Sequence, residues 1–358
     1  MDNVNLRVGD MLPYQPGKPV EELARELGIT DAIKLASNEN PRGPGAIVLQ
    51  ALSNLEFSRY PDGSGFRLKE LLAARLGVHV SQVTLGNGSN DVLELAGRVA
   101  ISPGTKAIVD EHCFVVYPLA VAAAHGRLVK VKSRDWGHDL ESMLAAIDEE
   151  VRIVFIANPN NPTGTWVDDA TVTEFLDRVP ERVWVVLDEA YFEYVDREHY
   201  PNGVELTRKY PNLIVTRTFS KIHGLASLRI GYSVTNPDFA DFMNRIRQPF
   251  NVSSVALQAA ESALHDGSFV TTSRKLNSEG MRQITKGLNA MNLEYIDSVG
   301  NFVTFDLGRD AQPTYDALLR KGVIVRHIAN YGMPNHLRVT VGLPEENERF
   351  LDTLRTIV

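Results

Sequence analysis

Thr216-Arg217-Thr218-Phe219-Ser220-Lys221-Ile222-His223-Gly224-Leu225 decides how this chain is read. The segment continues a β-branched run, Leu213-Ile214-Val215-Thr216, so its lysine leaves the end of a strand. Small hydroxyl residues stand beside that lysine, and Arg229 follows a short way downstream. An amine fixed there can bond covalently to an aldehyde, while the hydroxyls and the guanidinium hold an anion. Alone, a Ser-Lys pair is more often solvated surface than a site. The reading therefore depends on whether other strand ends agree.

Three others do. Val183-Trp184-Val185-Val186-Leu187 is an apolar run with the pattern of a strand buried on both faces, and it ends in Asp188-Glu189-Ala190-Tyr191. A carboxylate at such an end is expensive without a cationic partner, although taken singly a helix cap or core salt bridge is the commoner explanation. Ile153-Val154-Phe155-Ile156-Ala157 is a second buried-strand run, followed by Asn158-Pro159-Asn160-Asn161-Pro162-Thr163-Gly164-Thr165. Prolines and a glycine fix that turn, and an amide such as Asn161 can donate to a phenolate oxygen. Val83-Thr84-Leu85 leads into Gly86-Asn87-Gly88-Ser89-Asn90-Asp91 and then into helical spacing at Val92, Leu93, Leu95, Ala96 and Val99. Strand, glycine turn and helix start make a cradle of backbone N–H groups for a phosphate. The turn lacks the glycine spacing of dinucleotide and nucleotide loops. An imine-forming lysine, a phosphate cradle, a carboxylate for a protonated pyridine nitrogen and a donor for a phenolate oxygen are what pyridoxal 5′-phosphate requires of a protein.

The order Gly-Ser-Asn, Asn-Pro-Thr-Gly, Asp-x-x-Tyr, Ser-Lys, Arg resembles the fold-type I pyridoxal-phosphate aminotransferases. Within them the chain is most similar to the histidinol-phosphate aminotransferase family. That narrower likeness rests on Lys34-Leu35-Ala36-Ser37-Asn38-Glu39-Asn40-Pro41, Arg59-Tyr60-Pro61-Asp62-Gly63-Ser64-Gly65 and Leu187-Asp188-Glu189-Ala190-Tyr191-Phe192-Glu193-Tyr194. Arg247-Gln248-Pro249-Phe250-Asn251-Val252, Asn301-Phe302-Val303 and Leu337-Arg338-Val339-Thr340-Val341-Gly342 extend it, so it runs from Tyr14 to Gly342.

The resemblance implies roles. Lys221 bonds the cofactor and moves the proton; Asp188 pairs with the pyridinium; Asn161 and Tyr191 bond its phenolate oxygen. Thr218, Ser220, Arg229 and the Gly88-Ser89-Asn90 turn hold the phosphate. Tyr60 reaches the phosphate of a neighbouring subunit, giving a homodimer with shared active sites. Phe114 fills the place where many relatives stack a tyrosine on the ring, with Tyr117 the other candidate. Arg338 takes the substrate anion, and Arg326, Tyr14 and Asn40 complete that pocket. The implied reaction is transamination between histidinol phosphate and 2-oxoglutarate, giving imidazole-acetol phosphate and glutamate. The ending Ile222-His223-Gly224 departs from the Ala-Tyr-Gly common in the family. An aromatic or broad-specificity aminotransferase, a phospho-amino-acid decarboxylase of the same fold, and a catalytically silent binding module are the alternatives.

Composition sets the remaining bounds. The chain has 358 residues, 44% of them hydrophobic, enough for a large core and too many for one compact unit. A net charge of -8 argues against nucleic acid or an anionic membrane as partner. No apolar run approaches the roughly 20 residues of a membrane span, and the start Met1-Asp2-Asn3-Val4-Asn5 lacks a secretory signal's character. A single cysteine, Cys113, points to a reducing cytoplasm. The nine histidines are scattered, so no metal is expected. Strand-like runs at 107–109, 128–131, 153–157, 183–187, 213–216 and 230–234 alternate with helical patterns at 140–147 and 170–179. That rhythm predicts a large α/β domain with a mostly parallel sheet over 31–240. A long helical tract and strand-like pieces at 301–307, 323–327 and 337–341 predict a smaller α+β domain from 241–358 plus 1–30, including an N-terminal arm.

Overall fold

The computed structural model describes residues 17–53 and 55–358. Its strands are β1 (Ile33–Lys34), β2 (Val83–Gly86), β3 (Lys106–Asp110), β4 (Arg127–Val131), β5 (Val151–Ala157), β6 (Trp184–Asp188) and β7 (Leu213–Thr218). They continue with β8 (Gly231–Val234), β9 (Tyr295–Ile296), β10 (Phe302–Asp306), β11 (Val323–Ile324), β12 (Arg326–His327) and β13 (His336–Thr340). Seven of them form one sheet in the order β2-β8-β7-β6-β5-β3-β4. Only β8 runs antiparallel to its neighbours β2 and β7; the other pairings are parallel.

The apolar runs explain why this sheet is buried on both sides. Along β5, Ile153, Phe155 and Ala157 join one hydrophobic cluster while Val154 and Ile156 join the other. β6 divides the same way, Val186 against Val185 and Leu187. A strand's two-residue period sends alternate side chains to opposite faces, so a continuous apolar run is the solution when helices cover both. On one face lies the helix Ser89–Ala100, which buries Val92, Leu93, Leu95 and Ala96. Each fully buried valine or leucine of this kind contributes roughly 1.5–3 kcal/mol.

The second layer is a four-stranded antiparallel sheet, β12-β13-β10-β9, with the parallel pair β1–β11 beside it. Ile284, Leu288, Phe305, Leu337, Phe350 and Leu354 make its core. The strand expected at 323–327 is two short pieces, β11 and β12, which pair with different partners. The packing also moves the expected domain boundary. Phe239 and Met243 pack into one face of the large sheet, and Val252, Ala256, Leu257, Ala260 and Ala263 into the other. The change of character after Asn236 is therefore not a change of core. The helix Gly267–Ala290 makes the crossing, since Ile284 and Leu288 belong to the smaller core. At the other end Leu35 and Ala36 join small-layer clusters, beyond the boundary expected at 30. Among the described residues no helix is long and apolar enough to cross a membrane.

Candidate active site

The carboxyl ends of β5, β6 and β7 open into a cavity of about 190 Å³. Its wall includes Ser89, Asn90, Phe114, Asn161, Asp188, Tyr191, Thr218, Ser220, Lys221 and Arg229 from the large layer, with Arg326 and Arg338 from the small one. Residues chosen from seven separate stretches of sequence thus meet at one place.

Lys221 stands just beyond β7. Its loop is turned back by Gly224, whose φ is +69° and whose N–H donates to the Lys221 carbonyl at 3.0 Å. A Cβ there would lie 2.1 Å from the Gly43 carbonyl oxygen, so only glycine lets the two loops touch. The Lys221 Nζ donates to the Ser37 carbonyl at 3.2 Å. Burial lowers its pKa to about 8, and the charges of Arg338 and Arg229 push the same way. An amine lowered this far has the free-base fraction that nucleophilic and proton-transfer work need near neutrality.

Asp188 is buried and its carboxylate accepts from Tyr117 Oη and Thr216 Oγ1, each at 2.8 Å. Burial raises its pKa, and those two hydroxyls only partly oppose the shift. A carboxylate facing a cavity with neutral donors on its protein side is matched by a cation on the other, which a protonated pyridine nitrogen supplies. Tyr117 is fully buried, stacked on Phe155 at 4.9 Å and edge-on to Phe114. Its hydroxyl serves Asp188, while Phe114, only partly buried, lines the cavity beside it. The opposite wall is set by Asn161 and Tyr191. Arg338 donates through Nη1 to Asn161 Oδ1 and through Nη2 to the Ala36 carbonyl at 2.8 Å. Because a guanidinium only donates, this contact fixes the amide with its NH₂ turned away from Arg338.

An anion cup closes one end. The helix Ser89–Ala100 begins after Gly88, whose φ is +83°, and Asp91 braces the turn by accepting from Asn87 N–H and Asn251 Nδ2, each at 2.8 Å. Arg229 adopts a left-handed backbone (φ 55°) and donates to the Ala226 carbonyl at 2.9 Å and to Ser220 Oγ at 3.3 Å. A Cβ on Gly88 would lie 2.3 Å from Arg229 Nη2, and one on Gly231 would lie 2.4 Å from the Ser89 nitrogen. Both glycines are therefore required for the guanidinium and the helix start to converge. Thr218 accepts from the Ser220 N–H at 3.0 Å and shapes the loop between them. Free N–H groups at a helix start beside an arginine suit a phosphate. The cup, the carboxylate and the lysine together fit pyridoxal 5′-phosphate.

Asn40 does not face the cavity; its Nδ2 donates to the Ile222 carbonyl at 2.7 Å and to Ser273 Oγ at 3.1 Å, bracing the Lys221 loop. Tyr60 is 83% exposed and stacked on Phe250 at 4.7 Å, away from its own chain's cavity. Tyr14 lies outside the described residues. The departing Ile222-His223 pair does not reach the cavity either. Ile222 packs with Tyr191, Tyr194 and Phe302, and His223 is buried against Phe219, its pKa lowered to about 4 by burial.

Sequence reasoning missed Asn38, Tyr331 and the service of Tyr117 and Thr216 to Asp188. Asn38 lines the cavity with a φ of 55° and donates from Nδ2 to Tyr191 Oη at 2.8 Å. Its one available signal was chemical: asparagine is among the few residues that tolerate that backbone region. Tyr331 comes from a short turn with no pattern of its own.

The model of the aminotransferase class I and II family matches residues 30–354, and the chain belongs to that family. It is 54% identical to histidinol-phosphate aminotransferase 2 of Pseudomonas fluorescens strain Pf-5, across 98% of this chain and 96% of that protein. It is 55% identical, with the same shares covered, to histidinol-phosphate aminotransferase 2 of Pseudomonas aeruginosa. Among solved structures it is similar to histidinol-phosphate aminotransferase from Sinorhizobium meliloti in complex with pyridoxal-5′-phosphate. That match has a TM-score of 0.91 at 28% identity, covering 100% of this chain and 99% of that one.

Proposed function

We propose that this aminotransferase exchanges an amino group between histidinol phosphate and 2-oxoglutarate, a step of histidine biosynthesis, with pyridoxal 5′-phosphate as cofactor. Relatives of that name at more than half identity support the reading. The observation that carries it is a pair of arginines. Arg326 and Arg338 stand directly opposite each other in the β12–β13 register, both buried, both lining the cavity that Lys221 enters. Two guanidiniums on one wall match a small amine bearing a phosphate, and equally the distal carboxylate of glutamate.

The residues divide the work. Bound here, pyridoxal phosphate supplies an aldehyde that takes up amines and a ring that accepts electron density from the carbon losing its proton. Lys221 holds the cofactor, then takes the proton from the substrate carbon and returns it, which its lowered pKa favours. Asp188 keeps the ring nitrogen protonated, with Tyr117 and Thr216 orienting the carboxylate. Ser89, Asn90, Thr218, Ser220 and Arg229 hold the phosphate, and Phe114 covers the ring. Asn161 and Tyr191 bond the phenolate oxygen. The finer assignments belong to the same reading. A homodimer in which the exposed Tyr60 completes the neighbouring site accounts for an aromatic pair left on the surface. The buried thiol of Cys113 suits a cytoplasmic protein.

The test is a half-reaction. The protein is converted with glutamate to its amino form, freed of donor, and mixed with imidazole-acetol phosphate or phenylpyruvate. Rapid return of the yellow form with the phosphate compound alone is expected. Equal or faster return with phenylpyruvate would make it an aromatic aminotransferase.

A further inference from the structure

Tyr191 is held by Asn38, and Asn38 is held by Thr340 of β13; the order of these hydrogen bonds settles where the Tyr191 proton goes. The Asn38 backbone N–H donates to Thr340 Oγ1 at 2.9 Å. That oxygen's own proton is then directed to Asn38 Oδ1, 3.1 Å away. With Oδ1 so engaged, the amide presents its NH₂ to Tyr191 Oη at 2.8 Å. A hydroxyl that receives a proton from an amide cannot give its own proton back to it. Phe302, edge-on to the Tyr191 ring, offers no acceptor, and among the described residues the Tyr191 oxygen has Asn38 as its hydrogen-bond partner. The remaining direction is the cavity that Tyr191 lines.

The opposite amide orientation would turn Oδ1 toward Tyr191 and draw its proton away from the cavity. It would also leave the proton of Thr340, buried at 3% exposure, with no acceptor among the described residues. The backbone at Asn38 is fixed as well: its φ is 55° and its carbonyl accepts from Asn301 Nδ2 at 3.0 Å. We infer that Thr340 and Asn38 are positioning residues that aim the Tyr191 hydroxyl proton at the phenolate oxygen of the cofactor. The relay spans the two layers, since Thr340 belongs to the small sheet and Tyr191 follows β6 of the large one. The inference rests on the assignment of Tyr191 to that oxygen made above.

The readout is the pH midpoint at which the protein-bound cofactor changes colour between its acid and base forms. A donor on the phenolate oxygen stabilises its negative charge and so favours the base form. Tyr191→Phe removes that donor and is expected to move the midpoint up by roughly one pH unit, the scale of one hydrogen bond to a charged group. Thr340→Val frees the amide to turn and is expected to move it the same way, with no further movement in the Tyr191→Phe background. Thr340→Ser keeps the hydroxyl and is expected to restore the original midpoint. If Thr340→Val does not hold the cofactor, Asn38→Asp serves in the same cycle, since its carboxylate captures the Tyr191 proton. The part of its shift that disappears in the Tyr191→Phe background is the relay's. A Tyr191→Phe midpoint that moves while the Thr340 and Asn38 variants leave it still, or shifts that simply add, would overturn the relay. A Tyr191→Phe midpoint that does not move would instead overturn the assignment of Tyr191.

Discussion

Replacing Gly88 by alanine separates the anion cup from the fold, because its consequences are set by two distances. Gly88 has a φ of +83°, a region where a side chain is strained by roughly 1–3 kcal/mol. Its added Cβ would lie 2.3 Å from Arg229 Nη2 and 3.0 Å from Cζ, so the guanidinium must retreat by at least about 1 Å to reach ordinary contact. The retreat also disturbs the bonds that hold it to Ala226 and Ser220. Loss of one hydrogen bond to a charged group is worth about 1.5–3 kcal/mol, or roughly tenfold to a hundredfold in cofactor affinity.

Gly104 supplies the control. Its φ is +93°, equally unsuited to a side chain, yet nothing lies within 4 Å of a Cβ built there. Both alanine variants are expected to melt a few degrees lower than the parent. Only Gly88→Ala is expected to need tenfold or more pyridoxal phosphate for half-saturation, followed by absorbance of the bound chromophore. Equal affinity in Gly88→Ala and the parent would refute the claim that Arg229 works from this position. Equal weakening in both variants would show that backbone strain, not the displaced guanidinium, governs the cup.

The lowered pKa of Lys221 gives two pH effects in protein freed of cofactor. The rate of capturing added pyridoxal phosphate should rise as pH approaches about 8 and level off above it, and a rate still climbing at pH 10 would exclude a lowered pKa. The unfolded lysine titrates near 10.5, so the unfolded chain binds more protons between about 8 and 10.5, and this group's contribution to stability rises across that window. Denaturant melts of the parent and of Lys221→Met would diverge there; parallel curves would count against it. Arg338→Lys loses the planar fork that spans Asn161 and the Ala36 carbonyl, so KM for the phosphate substrate should rise tenfold or more, with the cofactor still retained. An unchanged KM would remove Arg338 from the substrate site. On the proposed shared site, in which one partner supplies the tyrosine and the other the lysine, co-expression of Tyr60→Ala with Lys221→Ala should yield a class of sites with parental cofactor affinity. If titration finds only the weakened class, Tyr60 serves its own chain or none.

What the sequence made legible follows from where each residue stands. Asp188 and Asn161 follow apolar runs that read as strands buried on both faces, Lys221 follows the β-branched run Leu213-Ile214-Val215-Thr216, and ligands collect at such strand ends. A costly group at a predictable place can be noticed without coordinates. The far wall offers no such signal. Asn38 and Asn40 lie two positions apart in one string, yet one turns into the cavity and the other braces the Ile222 carbonyl. The difference is fixed by a left-handed backbone at Asn38 and by partners 153 and 182 residues away. The domain boundary failed for a similar reason. Ala256, Ala259, Ala260 and Ala263 give a helical pattern without saying which core the small face meets. Local chemistry thus marks the half of the site built on one sheet. The half contributed by the second layer is fixed by strand register within the smaller sheet, as when the β12–β13 pairing sets Arg326 against Arg338. On the proposed reading substrate choice rests on that second half, so in this fold the reaction is easier to read from the sequence than the molecule on which it acts.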